Sequence, residues 1–234
     1  RVPPPPLPYK FRVPFELQDG VPILTVRLLS QPTLFRCVAD TGSLHLNVSA
    51  DGCNGCDGSN GVYEPTDALQ HAAARQLVYG TQSDRVKQIT DDLQLHAGGP
   101  ATKVPVHVTI NRGHAPSGGS EVFSNYNVFG LLPHGRGVLS HLLRGADDRL
   151  LVHFDSRGNG HVAAIDAAAA VGASQQALVR APLVPSDMGF YMVPLTGLRV
   201  GGEPVVHSER YVVLDTGSNM TSFHASTLSK LAHG

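Results

Sequence analysis

Two copies of one tetrapeptide constrain this chain more than any other feature. Val38-Ala39-Asp40-Thr41-Gly42-Ser43 and Val213-Leu214-Asp215-Thr216-Gly217-Ser218 each close an apolar, β-prone run with Asp-Thr-Gly-Ser. A single such tetrad reads as an ordinary turn, because Asp and Gly are common turn residues. Two of them, each ending an apolar strand and far apart in the chain, point to a duplicated half-site.

The surrounding pattern is β. Short β-branched or apolar runs recur and are closed by Gly, Pro or Asp: Val21–Leu29, Leu34–Ala39, Gln76–Tyr79, Leu93–Leu95, Val104–Ile110 and Val122–Phe129, then Phe190–Leu195, Leu198–Val200 and Tyr211–Leu214. Helical periodicity is local, at Leu139–Leu143, Ile165–Val171 and Ser226–His233, with Ser226 as the expected N-cap of the last. The 18 basic and 19 acidic residues nearly cancel, so nothing favours a nucleic-acid or anionic-membrane partner. No apolar run is long enough to span a bilayer. The opening Arg1-Val2-Pro3-Pro4-Pro5-Pro6 reads as an extended arm, such as a processed or trimmed end would leave.

Each residue type in the tetrads has a chemical reason. Two carboxylates about 3 Å apart cannot both ionise comfortably, so such a pair shares a proton over the acidic range. The ionised member can take a proton from a trapped water while the protonated one donates to a carbonyl oxygen. Thr41 and Thr216 offer hydroxyls that can bond across to the opposite loop. Gly42 and Gly217 let backbone N–H groups come close to the carboxylates, and Ser43 and Ser218 can each bond their own Asp.

These features resemble the pepsin-like aspartic peptidase family, and the resemblance runs from about Phe15 onward. Leu77-Val78-Tyr79-Gly80-Thr81 is similar to the family's flap hairpin, with Tyr79 as the flap tyrosine. Gly130-Leu131-Leu132-Pro133-His134-Gly135-Arg136-Gly137-Val138-Leu139-Ser140 resembles the G-I-L-G-L-G-R-G-x-x-S segment of plant- and protist-type members. Tyr191–Gly202 is similar to the Y-x-V-x-L-x-G-I-x-V-G-G segment that precedes the second tetrad in them. The resemblance implies an all-β, bilobal acid-protease fold with a substrate cleft between the lobes. The implied divisions are an arm over 1–15, an N-terminal lobe over 16–180, and the start of a C-terminal lobe over 181–234. It implies an aspartic endopeptidase acting on a peptide or protein substrate without metal or cofactor. Asp40 and Asp215 would be catalytic, and Tyr79, Gly80 and Thr81 would bind substrate.

Four departures from the family pattern are visible. Asn47 stands where a tryptophan usually supports the flap tyrosine, and its amide is the expected substitute partner. Pro133 replaces a glycine that packs on the first catalytic loop, so that contact is expected to rearrange. Gln82 takes a place near the flap tip where glycine is common. The sequence stops at Gly234, soon after the second tetrad, which suggests a fragment or a cleaved form whose remainder or second chain completes the second lobe. These departures motivate an alternative, a pepsin-fold protein that binds or scaffolds without cleaving.

Other candidates are weaker. Cys53 and Cys56 form a C-x-x-C open to three readings: a small disulfide, half a zinc site, or a redox motif. The histidines form no H-x3-H set and the surroundings are glycine-rich, which puts the disulfide ahead. The family often starts a small disulfide loop at this point. A disulfide implies an oxidising location, secretory, vacuolar or lysosomal, or extracellular. Cys37 reads as a buried thiol. No G-x-S-x-G elbow supports a serine hydrolase. His45 reads as structural, the acids Asp91-Asp92 and Asp147-Asp148 as solvent-facing, and the sequons at Asn47 and Asn219 as buried.

Overall fold

The computed structural model describes residues 9–79, 82–113, 126–133, 135–143, 148–155, 157–166, 181–187, 189–205, 207–218, 221–223 and 225–232. It is mostly β, built on one large mixed sheet of eleven strands. The first strands are β1 (Tyr9–Gln18), β2 (Val21–Leu28), β3 (Leu34–Asp40), β4 (Leu46–Asn54) and the short β5 (Val62–Tyr63). After helix α1 (Asp67–His71) come β6 (Ala74–Tyr79), β7 (Gln82–Gln94), β8 (Ala101–Gly113) and β9 (Asn127–Gly130). Helix α2 (Val138–Leu142) precedes β10 (Asp148–Phe154) and β11 (Gly160–Asp166).

Strand order along the sheet is β10-β11-β1-β2-β3-β9-β4-β8-β7-β6, with β5 beside β4. A further pairing of β2 with β7, through Arg27–Gln94 and Leu28–Leu93, joins β2-β3-β9-β4-β8-β7 into a closed ring. Closure of these six strands encloses a core. That core takes Leu24, Val26 and Leu28 from β2, Phe35, Cys37 and Ala39 from β3, and Val104, Val106 and Val108 from β8. Val38 points to a second small cluster with Val21, Ile23 and Tyr126, so the Cys37-Val38-Ala39 stretch of β3 is buried on both faces.

The remaining strands form two small antiparallel pairs. β12 (Met192–Pro194) pairs with β15 (Tyr211–Val213), and β13 (Leu198–Val200) pairs with β14 (Glu203–Val205) across Gly201-Gly202. Both glycines have positive φ, the turn geometry that matches strand twist in two-residue hairpins. Helix α3 (Ala225–Ala232) follows. No helix among the described residues is long and apolar enough to cross a membrane.

Several expectations change. Residues 9–15 of the expected arm belong to β1, which bonds β2 and β11 and buries Val13 and Phe15. Ile165 lies in β11, not in a helix, because it pairs with Tyr9 and Arg149; 167–180 are outside the described residues. Ser226 falls inside α3, which begins at Ala225, and so does not precede the helix as a cap. Asp91 is buried, not solvent-facing. Its carboxylate accepts the Ser30 hydroxyl at 2.5 Å and the Tyr63 hydroxyl at 3.0 Å, which compensates its removal from water. Asp147, Asn219 and the side chain of Asp148 lie outside the described residues. Cys53 and Cys56 form a disulfide, and Cys37 is a buried free thiol whose pKa burial pushes up.

Candidate active site

Asp40 is the last residue of β3, and parallel strand β9 lies beside it with Gly130 as its direct partner. Since β9 also pairs antiparallel with β4, the 41–45 loop must cross over the end of β9 to reach β4. A Cβ at Gly130 would stand 2.5 Å from the Leu44 carbonyl carbon and 2.6 Å from the His45 nitrogen, so only glycine admits the crossing. The 130s segment then holds the loop by its backbone. Leu131 N–H donates to the Asp40 carbonyl at 2.8 Å, Leu132 N–H to Ser43 at 3.0 Å, and Val138 N–H to Leu44 at 3.2 Å. Pro133 is exposed and makes none of these bonds. Gly130 and Gly137 are the glycines that meet the loop, the latter against Leu44.

The second tetrad meets the first head-on. The Thr41 hydroxyl donates to the Leu214 carbonyl at 2.7 Å and accepts the Thr216 N–H at 2.8 Å. In mirror fashion the Thr216 hydroxyl donates to the Ala39 carbonyl at 2.5 Å and accepts the Thr41 N–H at 3.1 Å. Four hydrogen bonds thus join two loops through side chains whose own β-strands never pair. Each glycine sits against the other loop's acid. A Cβ on Gly42 would lie 2.8 Å from Asp215 Oδ2, and one on Gly217 would collide with the Asp40 carboxylate. Each Asp in turn takes its own glycine's N–H, Gly42 to Asp40 at 2.7 Å and Gly217 to Asp215 at 2.9 Å. The Ser43 hydroxyl donates to Asp40 Oδ2, and the Ser218 N–H turns back on the Asp215 carbonyl at 3.4 Å.

The two carboxyl groups are close enough to share a hydrogen bond. Burial pushes Asp40 up to about 7. The Ser43 and Gly42 donors pull against that rise, while the Asp215 charge and the carboxyl–carboxyl hydrogen bond add to it. Asp40 is half-buried and Asp215 is exposed, so the pair is asymmetric. This arrangement can hold one proton on Asp40 at acidic pH beside a second, more accessible carboxyl group.

The flap candidates lie on a separate hairpin. Tyr79 ends β6 opposite Gln82, so Gln82 is a strand residue of β7 and not a tip residue. Gly80, Thr81 and the side chain of Tyr79 are outside the described residues. Asn47 is buried and its amide oxygen accepts the Thr109 hydroxyl at 2.8 Å, a bond within the sheet interior that the expected role as partner of Tyr79 did not include.

Two features escape a reading of the sequence. His45 packs on His107 with ring centroids 3.9 Å apart, and Arg75 at the start of the hairpin reaches His107 Nε2 at 2.5 Å. Burial, the neighbouring ring and Arg75 pull His107 down to about 3, and burial followed by Arg75 lowers His45. Tyr191, whose one mark in the sequence is its place in a motif, donates its hydroxyl to the Leu131 carbonyl at 2.8 Å. Neither pairing has a local signal, since the partners are separated by tens of residues. No protein-family model matches the sequence, and no curated protein does.

Proposed function

We propose that this protein is an aspartic endopeptidase of the pepsin-like type, with Asp40 and Asp215 as its catalytic pair. The observation that carries the reading is the four-bond Thr41–Thr216 joint, which sets two carboxyl groups in hydrogen-bond contact. A structural turn pair has no need of glycines packed on the opposing carboxylates or of a half-buried acid.

In this reading the protonated Asp40 donates to the scissile carbonyl oxygen as water attacks the carbon. Asp215, the more accessible group, takes the proton that the water releases. The tetrahedral diol collapses as that proton passes to the leaving nitrogen and Asp40 recovers its own, with no covalent enzyme intermediate. Loss of the Asp40 proton as pH rises through about 7 ends turnover, so activity is confined to the acidic side. The hairpin of β6 and β7 would be the flap over an extended peptide, lying in a cleft between two lobes. The Cys53–Cys56 disulfide supports an oxidising, secretory, vacuolar or extracellular setting.

The test is cleavage of denatured globin at acidic and neutral pH, with and without pepstatin. Pepstatin-sensitive products at acidic pH, abolished in Asp40→Asn and in Asp215→Asn, are the expected result. Undiminished turnover in either variant refutes the assignment, and no pepstatin-sensitive product at any pH favours a pepsin-fold binding protein instead.

A further inference from the structure

We propose that Tyr191 is a positioning residue for the Asp40–Asp215 pair, locking the two loops together from a second point of attachment. The proposal rests on the peptidase reading above for its effect on rate, but its geometry stands by itself. The Tyr191 hydroxyl donates to the Leu131 carbonyl at 2.8 Å, and Leu131 N–H donates to the Asp40 carbonyl at 2.8 Å. On its other side the Tyr191 carbonyl accepts Leu214 N–H at 2.9 Å, and the Leu214 carbonyl accepts the Thr41 hydroxyl at 2.7 Å. The chain of bonds is closed: from Tyr191 through Leu131 to Asp40, on to Thr41, and back through Leu214 to Tyr191.

Each link is constrained. Leu131 is fully buried, so its carbonyl must be satisfied within the protein. Burial raises the Tyr191 phenol to about 12, which keeps it a donor at every working pH. Among the described residues the Asp215 loop has a slight scaffold of its own, since β12 and β15 share three residue pairs there and Tyr211, Val213 and Leu214 are exposed. A joint made by the two threonines alone leaves such a light element free to swing about it. A second tie, reaching the backbone on which Asp40 is hung, removes that freedom and fixes the separation of the carboxyl groups.

Tyr191→Phe keeps the ring and deletes only the hydroxyl. The expected result is a fall in kcat of roughly 3- to 10-fold with KM within about 2-fold. The alkaline limb of the pH–rate profile should also move to lower pH, because a looser pair relieves the burial and the Asp215 contact that hold Asp40 up. Tyr9→Phe, on β1 far from the pair, serves as the control and should match wild type. A Tyr191→Phe variant with unchanged kcat and unchanged pH profile overturns the proposal. Amide exchange supplies a readout that needs no activity: in the wild type, Leu131, Leu214 and Thr216 should open together with one free energy. Independent opening of Leu131 and Thr216 overturns the proposal even if Tyr191→Phe does not fold. A wild type without pepstatin-sensitive cleavage would refute the peptidase reading, and exchange would still decide the role of Tyr191.

Discussion

Replacing Thr41 with Val probes the joint between the two loops with little change in shape. The hydroxyl makes two bonds, donating to Leu214 and accepting from Thr216 N–H, and Thr41 is only 5% exposed. Two hydrogen bonds at about 1 kcal/mol each, plus about 1 kcal/mol for a stranded Thr216 N–H, oppose about 0.8 kcal/mol regained by the new methyl group. The net cost is about 2 kcal/mol, and amide exchange at Thr216 should quicken roughly 30-fold. Because the chain contains no tryptophan, far-ultraviolet circular dichroism in urea is the appropriate stability assay. Thr216→Val should cost a similar amount through Ala39 and Thr41. The double variant should cost less than the two together, since either loss already frees the loops from one another. A Thr41→Val protein within about 0.5 kcal/mol of wild type, with Thr216 exchange unchanged, would show that the hydroxyl bonds contribute nothing and that another contact joins the loops.

Two further predictions concern pH. Asp40 titrates near 7 in the fold against 3.8 ordinarily, so its contribution to stability is complete below pH 3.8 and lost as pH rises through about 7. Asp40→Asn should therefore resist unfolding better than wild type at pH 8, with the advantage shrinking toward pH 4; parallel melting-temperature profiles for the two proteins would contradict this. His107 behaves oppositely, because its folded pKa of about 3 lies below the ordinary 6.5. Its contribution is present above pH 6.5 and lost as pH falls toward 3, where a charged ring would face Arg75 and His45 in the interior. His107→Gln should flatten the decline in stability between pH 6 and 4, and an unaltered decline would assign acid sensitivity to other groups.

The two pH effects bound a common window. Asp40 must keep its proton for the proposed chemistry, which excludes alkaline conditions, while the His45–His107–Arg75 cluster penalises strong acid. The cluster touches β6 through Arg75, so its charge state bears on the hairpin that would serve as the flap. The Asp84–Arg112 ion pair, 3.6 Å apart and buried, braces β7 against β8 near the same end.

Local chemistry was enough to make much of this protein legible from its sequence. Alternation and turn residues mark β2, β3 and β13 closely, and the middle of β8 at Val104–Ile110, because pleat geometry and glycine or proline turns act over two to four residues. The tetrads announce two equivalent loops for the same reason. Strand β1 was hidden by its proline-rich approach, and Ile165 by an alanine-rich stretch whose helical propensity yields to pairing with Tyr9 and Arg149. Only the tertiary structure decided what those loops touch. The parallel pairing of β3 with β9 is what makes Gly130, and not residue 133, the glycine under the first loop. The reach of Tyr191 to Leu131 and the burial of Asp91 and His107 likewise depend on residues distant in sequence. An aspartate's place in a tetrad is a matter of its neighbours in the chain, whereas the proton it keeps depends on desolvation and a second charge brought to it through the fold.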